Sequence, residues 1–443
     1  MTRLARIAAA VAVAAAASAP ASGATRLSLA DAVRIASGAT PAVEIAGLET
    51  KAAESRRAEA RGALLPSLSG TASAANRTFN KATIGIEFPS IPGVPPSSDL
   101  VGPFDVLDAR FQVRQSLIDP AAWAKLRAAG DAVAVSRAER ETSAEVAAQG
   151  ASLAYLRALR AQAVVEARQL DSGIAARLLD LAEAQQKAGV SPAIDVTRAR
   201  TQLAAARGQL LVAQNQLDRS RIDLARSLGL DPATGFDLAD TLSDSIGGSA
   251  APADTGAALA MALAHRPELL TQSSRLRRAR SDRSAVAAER LPRLEASADY
   301  GLSGETGPDA IATRQVGVAL TLPILDGLRR EARIAEGNAA IREAEVRERD
   351  LRDQVAAETQ AALLEIASGV DQQSVAEERV SLADQELAQA TDRFKNGVAG
   401  HIELIDAQST MVRARDARID ARYATAAARI ALARAVGAAR TVK

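Results

Sequence analysis

The chain has 443 residues, 48% of them hydrophobic but only 2% aromatic, so its apolar content is mostly alanine, which buries too little surface per residue for a large globular core. A formal net charge of +1 leaves no field to draw nucleic acid, and basic runs such as RLRRARSDR at 275–283 are interleaved with small and acidic residues, as on a solvated helix face. Cysteine is absent, which removes disulfides, thiolate metal ligands, cysteine nucleophiles and a lipidated N-terminal cysteine.

Residues 1–24 read as a secretory signal peptide. Arg3 and Arg6 precede an apolar run from Ile7 to about Ala17, and small residues in an A-x-A arrangement follow near Ala19 to Ala24. That run is too short to span hydrocarbon, and no later stretch approaches about 18 consecutive apolar residues. The remaining classes are a secreted protein, a periplasmic one or an outer-membrane barrel.

The rest of the chain is written twice, as 25–230 and 257–443, joined by a small, polar linker over 231–256. Aligned without gaps at an offset of 208, residues 187–229 match 395–437 at 14 of 43 positions, where chance in so alanine-rich a chain gives about four or five. Upstream, Pro41 falls on Pro267 and Leu65-Pro66 on Leu291-Pro292, at an offset of 226. The change of offset places an insertion in the first half between Pro66 and Asp119, in NKATIGIEFPSIPGVPPSSDLVG. Loops absorb insertions of this kind and packed elements do not. The counterpart in the second half is the short GETGPDA at 304–310.

Each half opens with short helices, and Pro41 and Pro267 stand at helix starts, where a missing N–H is harmless. The period then changes. Imperfect alternation predicts a β-hairpin over 68–117 and a second over 293–322. Half of the aromatics lie in or beside them: Phe79, Phe88, Phe104, Phe111 and Tyr300. Runs of about 10 residues suit membrane strands, but alternation alone also admits a small soluble sheet.

Long proline-free stretches follow, rich in Ala, Leu, Arg, Gln and Glu. They predict helices over 121–187 and 328–395, each about 100 Å long at 1.5 Å per residue. Small residues recur along them, at Ala128, Ala132, Val135 and Ala138 and at Ala332, Ala335 and Ala339, as close helix neighbours require. After the turns KAGVSP and KNGVAG come further helices over 191–229 and 401–437.

Catalytic chemistry finds little to use. The chain has two histidines: His265 sits at a helix end, and His401 sits at a turn beside Glu403 and Asp406. There is no glycine-rich phosphate loop, and neither histidine stands in a pattern that marks a Ser-His-Asp triad. The sequence predicts no enzyme, no cofactor and no metal site.

LSLADAVRIA, LLPSLS, ALAHRPEL, RLPRLEASADYG, LTLPILDG and FKNGVAGHIELIDAQ, in that order, resemble the landmarks of the TolC-like outer-membrane efflux proteins, or channel-tunnels, over nearly the whole chain after residue 24. The resemblance implies a mainly α fold with a small β-barrel part. Each protomer would give a long α-helical tunnel section and four membrane β-strands, and a homotrimer would complete a twelve-stranded barrel. One point follows independently, because four strands cannot close a membrane barrel and open edges are not tolerated in lipid.

By the same resemblance the chain lies in the outer membrane of a Gram-negative bacterium and extends into the periplasm. It would be a passive exit duct of a tripartite efflux or type I secretion system, exporting small molecules or proteins. Its partners would be a periplasmic adaptor (membrane fusion protein), an inner-membrane pump and outer-membrane lipid, with no nucleic acid. The alternative is a periplasmic helical adaptor or scaffold without a barrel, which has no need of two matched hairpins.

Glu403 and Asp406 match positions that line the closed periplasmic aperture in the family, and Asp195 matches one that helps to latch it. Three copies would ring the narrowest point with carboxylates, attracting cations. The turns containing Lys187, Gly189, Val190, Lys395, Gly397 and Val398 match the adaptor-docking tip. The loop carrying Ser97 would be extracellular. Two departures stand out. Aromatics are sparse for a barrel, and Ala399 occupies a position where the family often has a latching arginine.

Overall fold

Helix-forming composition without proline beyond the first residue lets two helices run far beyond ordinary length: α3 over Pro120–Lys187 and α7 over Arg329–Lys395, 68 and 67 residues. The computed structural model describes residues 25–80, 83, 100–243, 245–248, 251–398 and 400–443. The expected signal peptide 1–24 and the loop with Phe88 and Ser97 lie outside the described residues. The first half contains β1 (Thr25–Leu27), α1 (Leu29–Ala39), α2 (Pro41–Gly62), β2 (Ser67–Asn80), β3 (Leu100–Ile118), α3 and α4 (Ala193–Ser227). The second contains β4 (Phe236–Leu238), α5 (Thr255–His265), α6 (Pro267–Ala288), β5 (Arg293–Gly304), β6 (Ile311–Thr321), α7 and α8 (His401–Ala435). A short helix pair, a hairpin, a very long helix and a 35-residue helix thus recur in one order.

Local chemistry sets the starts of the short helices. Ser28 Oγ accepts the N–H of Asp31 at 3.1 Å to cap α1, and Asp254 Oδ2 accepts the N–H of Ala257 at 2.8 Å to cap α5. Pro41 and Pro267 are the first residues of α2 and α6.

One compact unit comprises Glu44–Thr142 and Pro267–Gln354. It holds a four-stranded antiparallel sheet in the order β2-β3-β5-β6. The register sorts the side chains by polarity. Leu68, Leu107, Phe111, Val113, Tyr300, Leu302, Val316, Val318 and Leu320 share one face and are all exposed, with Arg314, opposite Tyr300, interrupting them. Thr71, Arg110, Gln112, Ser297, Asp299, Thr313 and Gln315 share the other. There Arg110 is ion-paired with both Asp108 and Asp299. Strands standing between lipid and a wet lumen need such a sheet. β2 and β6 are its edges, and neither has an outer partner strand among the described residues. The first hairpin is longer than the alternation suggested, at 14 and 19 residues, because Leu100 and Val101 pair with Asn80 and Phe79 beyond the periodic stretch.

The other compact unit comprises, among the described residues, those within 25–43, 143–266 and 355–443. Its core joins Leu29 and Val33 of α1, Tyr155, Leu156 and Leu159 of α3, Leu224 of α4 and Ile430 of α8. Buried alanines, among them Ala148, Ala151, Ala158 and Ala433, let the helices approach closely. A parallel two-strand pair that the sequence pattern did not reveal, β1 with β4, closes over this core. The Tyr155 hydroxyl lies 2.8 Å from both the Leu27 carbonyl oxygen and Asp240 Oδ2, and the same Oδ2 accepts the N–H of Leu29 at 2.8 Å. Residues 231–256 are more than a polar join, since Leu242 and Ile246 are buried in the core and Gly248 pairs with the last residue, Lys443. Further along, Asp171 is 3% exposed and receives Arg168 at 2.8 Å and Arg415 at 2.7 Å, while Arg168 also grips Asp416 through both carboxylate oxygens. No helix among the described residues is long and apolar enough to cross a membrane.

Candidate functional site

The site is the pair of helix–turn–helix tips that the internal repeat places at α3–α4 and α7–α8. Both turns close by the same hydrogen bonds. The N–H groups of Gly189 and Val190 donate to the carbonyls of Gln186 and Gln185, at 3.0 Å each. Those of Gly397 and Val398 donate to Phe394 and Arg393, at 3.1 and 2.9 Å. This is the Schellman arrangement, and it needs a left-handed residue after the last helical carbonyls. Gly189 (φ 75°) and Gly397 (φ 68°) supply it. Lys187, Lys395, Val190 and Val398 are all exposed, so each turn offers an apolar tip beside a cation.

The two tips differ just past the turn. Asp195 is the third residue of α4 and is buried, with Ser191 Oγ donating to its Oδ2 at 2.9 Å and Arg198 ion-paired at 3.4 Å. Glu403, the third residue of α8, is exposed and ion-paired with Arg393 of α7 at 3.1 Å. Asp406, one turn on, is also exposed, with no ion-pair partner among the described residues. Glu403 and Asp406 therefore share an exposed helix face, as their spacing predicts, and Asp195 is turned inward instead of joining them. Both third-position carboxylates also sit favourably on the helix dipole. Ala399 lies outside the described residues.

Sequence reading missed two features of this tip. The first is Arg393, which neutralises Glu403 from six residues before Ala399; nothing in the pattern marks it. The second is His401. Its side chain is 3% exposed, its ring lies 5.5 Å from that of Phe394, and neither ring nitrogen has a hydrogen-bond partner. The cluster of Leu178, Ala390, Phe394, Leu404 and Ala407 packs nearby, and Gln185 Nε2 donates to the Phe394 carbonyl at 2.8 Å across the two tips. Among the described residues no group of three potential ligands could hold a metal ion.

Burial pushes the His401 pKa below its ordinary 6.5, with Asp195 opposing the shift and Arg198 adding to it. The unfolded tip therefore binds more protons than the folded one below about pH 6.5, and stability drains away as pH falls through that window. Limited proteolysis at the tip is expected to speed up several-fold between pH 7.5 and 5.5 in the native chain and to stay flat in His401→Phe. An equal acid response in both would remove His401 as the cause.

The family model described as outer membrane efflux protein matches residues 32–230 and 258–438. The pyoverdine export outer membrane protein OpmQ of Pseudomonas putida is 24% identical over 330 residues, covering 71% of this chain and 67% of that protein. OpmQ of Pseudomonas aeruginosa is 26% identical over 328 residues, covering 71% of this chain and 66% of that protein. In fold, the crystal structure of the outer membrane protein VceC from Vibrio cholerae matches with a TM-score of 0.73 at 19% identity, over 92% of this chain and 96% of that one. Two family-matched halves, each with its hairpin, long helix and tip, establish that the chain belongs to the outer membrane efflux protein family.

Proposed function

We propose that Glu403 and Asp406 line the periplasmic aperture of an export duct, that Asp195 fastens the neighbouring turn, and that the turns at 187–190 and 395–398 receive a periplasmic adaptor. The chain is an outer-membrane efflux protein that reaches into the periplasm, an exit duct of the kind that serves tripartite efflux systems. Members of the family are trimeric channels that work with adaptor and pump partners, and the family and fold are those of transport channels, not enzymes. For this chain the partners are two further copies of itself, an adaptor, an inner-membrane pump that supplies the energy, and the lipid around the barrel. Relatives named for pyoverdine export favour small molecules over proteins as cargo.

One observation carries the reading of a duct: a sheet mostly apolar on one face and polar on the other, with β2 and β6 left as open edges. Open edges in lipid must be closed by other copies. A periplasmic scaffold without a barrel has no use for the exposed apolar face and is not favoured.

The aperture is tested by conductance in planar bilayers. Glu403→Ala/Asp406→Ala is expected to lose cation preference and block by multivalent cations while keeping its oligomeric state. Because Arg393 already offsets Glu403, Asp406→Ala alone should remove more of the selectivity than Glu403→Ala alone, and Arg393→Ala should raise it. Unchanged selectivity and block in the double variant would place these carboxylates away from the narrowest point.

A further inference from the structure

At the end of the sheet where the strands meet α3, α6 and α7 lies a cavity of about 690 Å³. Arg293, the first residue of β5, pairs with Thr321, the last of β6, and both border the cavity. Five cationic side chains line it: Lys125, Arg293, Arg329, Arg330 and Arg333. Three carboxylates line it as well, and each is already engaged. Asp119 Oδ1 accepts the N–H of Ala122 at 2.9 Å at the start of α3, and Asp326 Oδ2 accepts the N–H of Arg330 at 3.1 Å at the start of α7. Glu289 takes two hydrogen bonds from Arg333, at 2.7 and 3.3 Å. Five cations against three carboxylates leave two positive charges uncompensated in the cavity.

Arg330 is the telling residue. Its side chain is 9% exposed, its Nε has no hydrogen-bond partner, and its ion pair with Asp326 spans 3.6 Å, beyond hydrogen-bond reach. A buried guanidinium N–H without an acceptor carries a cost that a bound anion would remove. Arg293, at the sheet end, has no ion-pair partner among the described residues. Beside the cavity the chain from Pro323 leads straight into Ile324 and Leu325, 86% and 82% exposed, with Leu322 and Leu328 exposed on either side.

We infer that this cavity binds a phosphate group, and that the apolar lip beside it makes an anionic glycerophospholipid the source. Planar guanidinium groups match phosphate oxygens in pairs, and exposed leucine and isoleucine beside a cationic site suit acyl chains. The phosphate chemistry stands on the arginines alone; the lipid source rests also on reading the sheet as membrane strands.

The test is native mass spectrometry of the full chain in detergent, titrated with dioleoyl-phosphatidylglycerol or dioleoyl-phosphatidylcholine, with inorganic phosphate as competitor. The native chain is expected to prefer phosphatidylglycerol by about ten-fold, and Arg293→Gln/Arg330→Gln to bind both lipids equally. Arg293→Gln alone, altering an exposed side chain, should lose about three-fold, and Arg330→Lys, which keeps the charge but not the planar fork, should lose about as much, so a folding failure of Arg330→Gln leaves the inference open to refutation. Competition by millimolar inorganic phosphate equal to that of the lipid would assign the site to the free anion and overturn the lipid source. Undiminished lipid preference in Arg293→Gln and in the double variant would overturn the site itself.

Discussion

Asp171→Ala is expected to loosen α8 from α3 by about 3–5 kcal/mol, a large loss for a single side chain in this unit. The carboxylate is buried and bridges Arg168 of α3 and Arg415 of α8 at hydrogen-bonding distance. Removing it leaves Arg415 desolvated without its counter-charge, while Arg168 keeps Asp416. The loss should be local, so amide exchange over residues 411–420, compared at equal pH, is expected to speed up by about two to four decades. Asp416→Ala is the contrast. That carboxylate is 38% exposed, and water can replace it around Arg168, so about 1 kcal/mol is expected. Equal effects of the two substitutions would show that burial does not set the strength of this network.

Gly301→Val is expected to prevent assembly in the membrane. Gly301 stands opposite Arg110 in the β3–β5 ladder, the one seam where the two hairpins meet. A Cβ built at Gly301 would lie 2.6 Å from the Ala109 carbonyl oxygen and 2.8 Å from Arg110 Cα, distances that real side chains do not reach. Both obstacles are backbone, so the strands themselves must part, at a cost of about 3 kcal/mol or more. The close approach also lets Arg110 lie across the polar face towards Asp299. Outer-membrane fractions should therefore hold about a tenth of the native amount of assembled Gly301→Val. Gly317→Ala, in β6, meets nothing nearer than Ser297 Oγ at 4.0 Å and should assemble normally. Normal assembly of Gly301→Val would mean that the seam tolerates separation.

What could be read from the sequence follows what repeats and what is periodic. The offset of 208 located both tips to the residue, since Gly189 and Gly397 hold the same left-handed position in the same hydrogen-bond pattern. Absence of interior proline marked α3 and α7, because one proline beyond the first turn of either would have kinked or ended it. Alternation marked the hairpins but not their full length. Leu100 and Val101 stand beyond the periodic stretch and are held by pairing with Asn80 and Phe79, which no local pattern encodes. β1 and β4 have three residues each, too few to show a period, and exist because Phe236 and Leu27 are drawn into a core built by other elements.

The candidate site was legible in part for the same reason. Residue type and spacing placed Glu403 and Asp406 on one helix face. Spacing says nothing of partners, so the inward turn of Asp195 towards Ser191 and Arg198, and the pairing of Glu403 with Arg393, emerged only in three dimensions. The sequence places His401 at a turn beside two acids but does not reveal the burial of its ring against Phe394. The basic cavity at the sheet end draws on residues from Ala60 to Arg333, far apart in the chain and unremarkable singly.

A duct through the outer membrane requires that β6 of one copy pair with β2 of the next until the barrel closes, and the absence of native cysteine lets that pairing be measured directly. Thr71→Cys in β2, on the polar face, is combined in turn with a cysteine at Thr313, Gln315, Gly317 or Ala319 along the same face of β6. Outer-membrane fractions are treated with a short bismaleimide and resolved by denaturing electrophoresis. A closed trimeric duct predicts, for the pair in register, covalent dimers and a closed species of three copies with nothing larger. Recovery of the chain in the soluble periplasm, no cross-link from any β6 position, or a ladder running past three would contradict it.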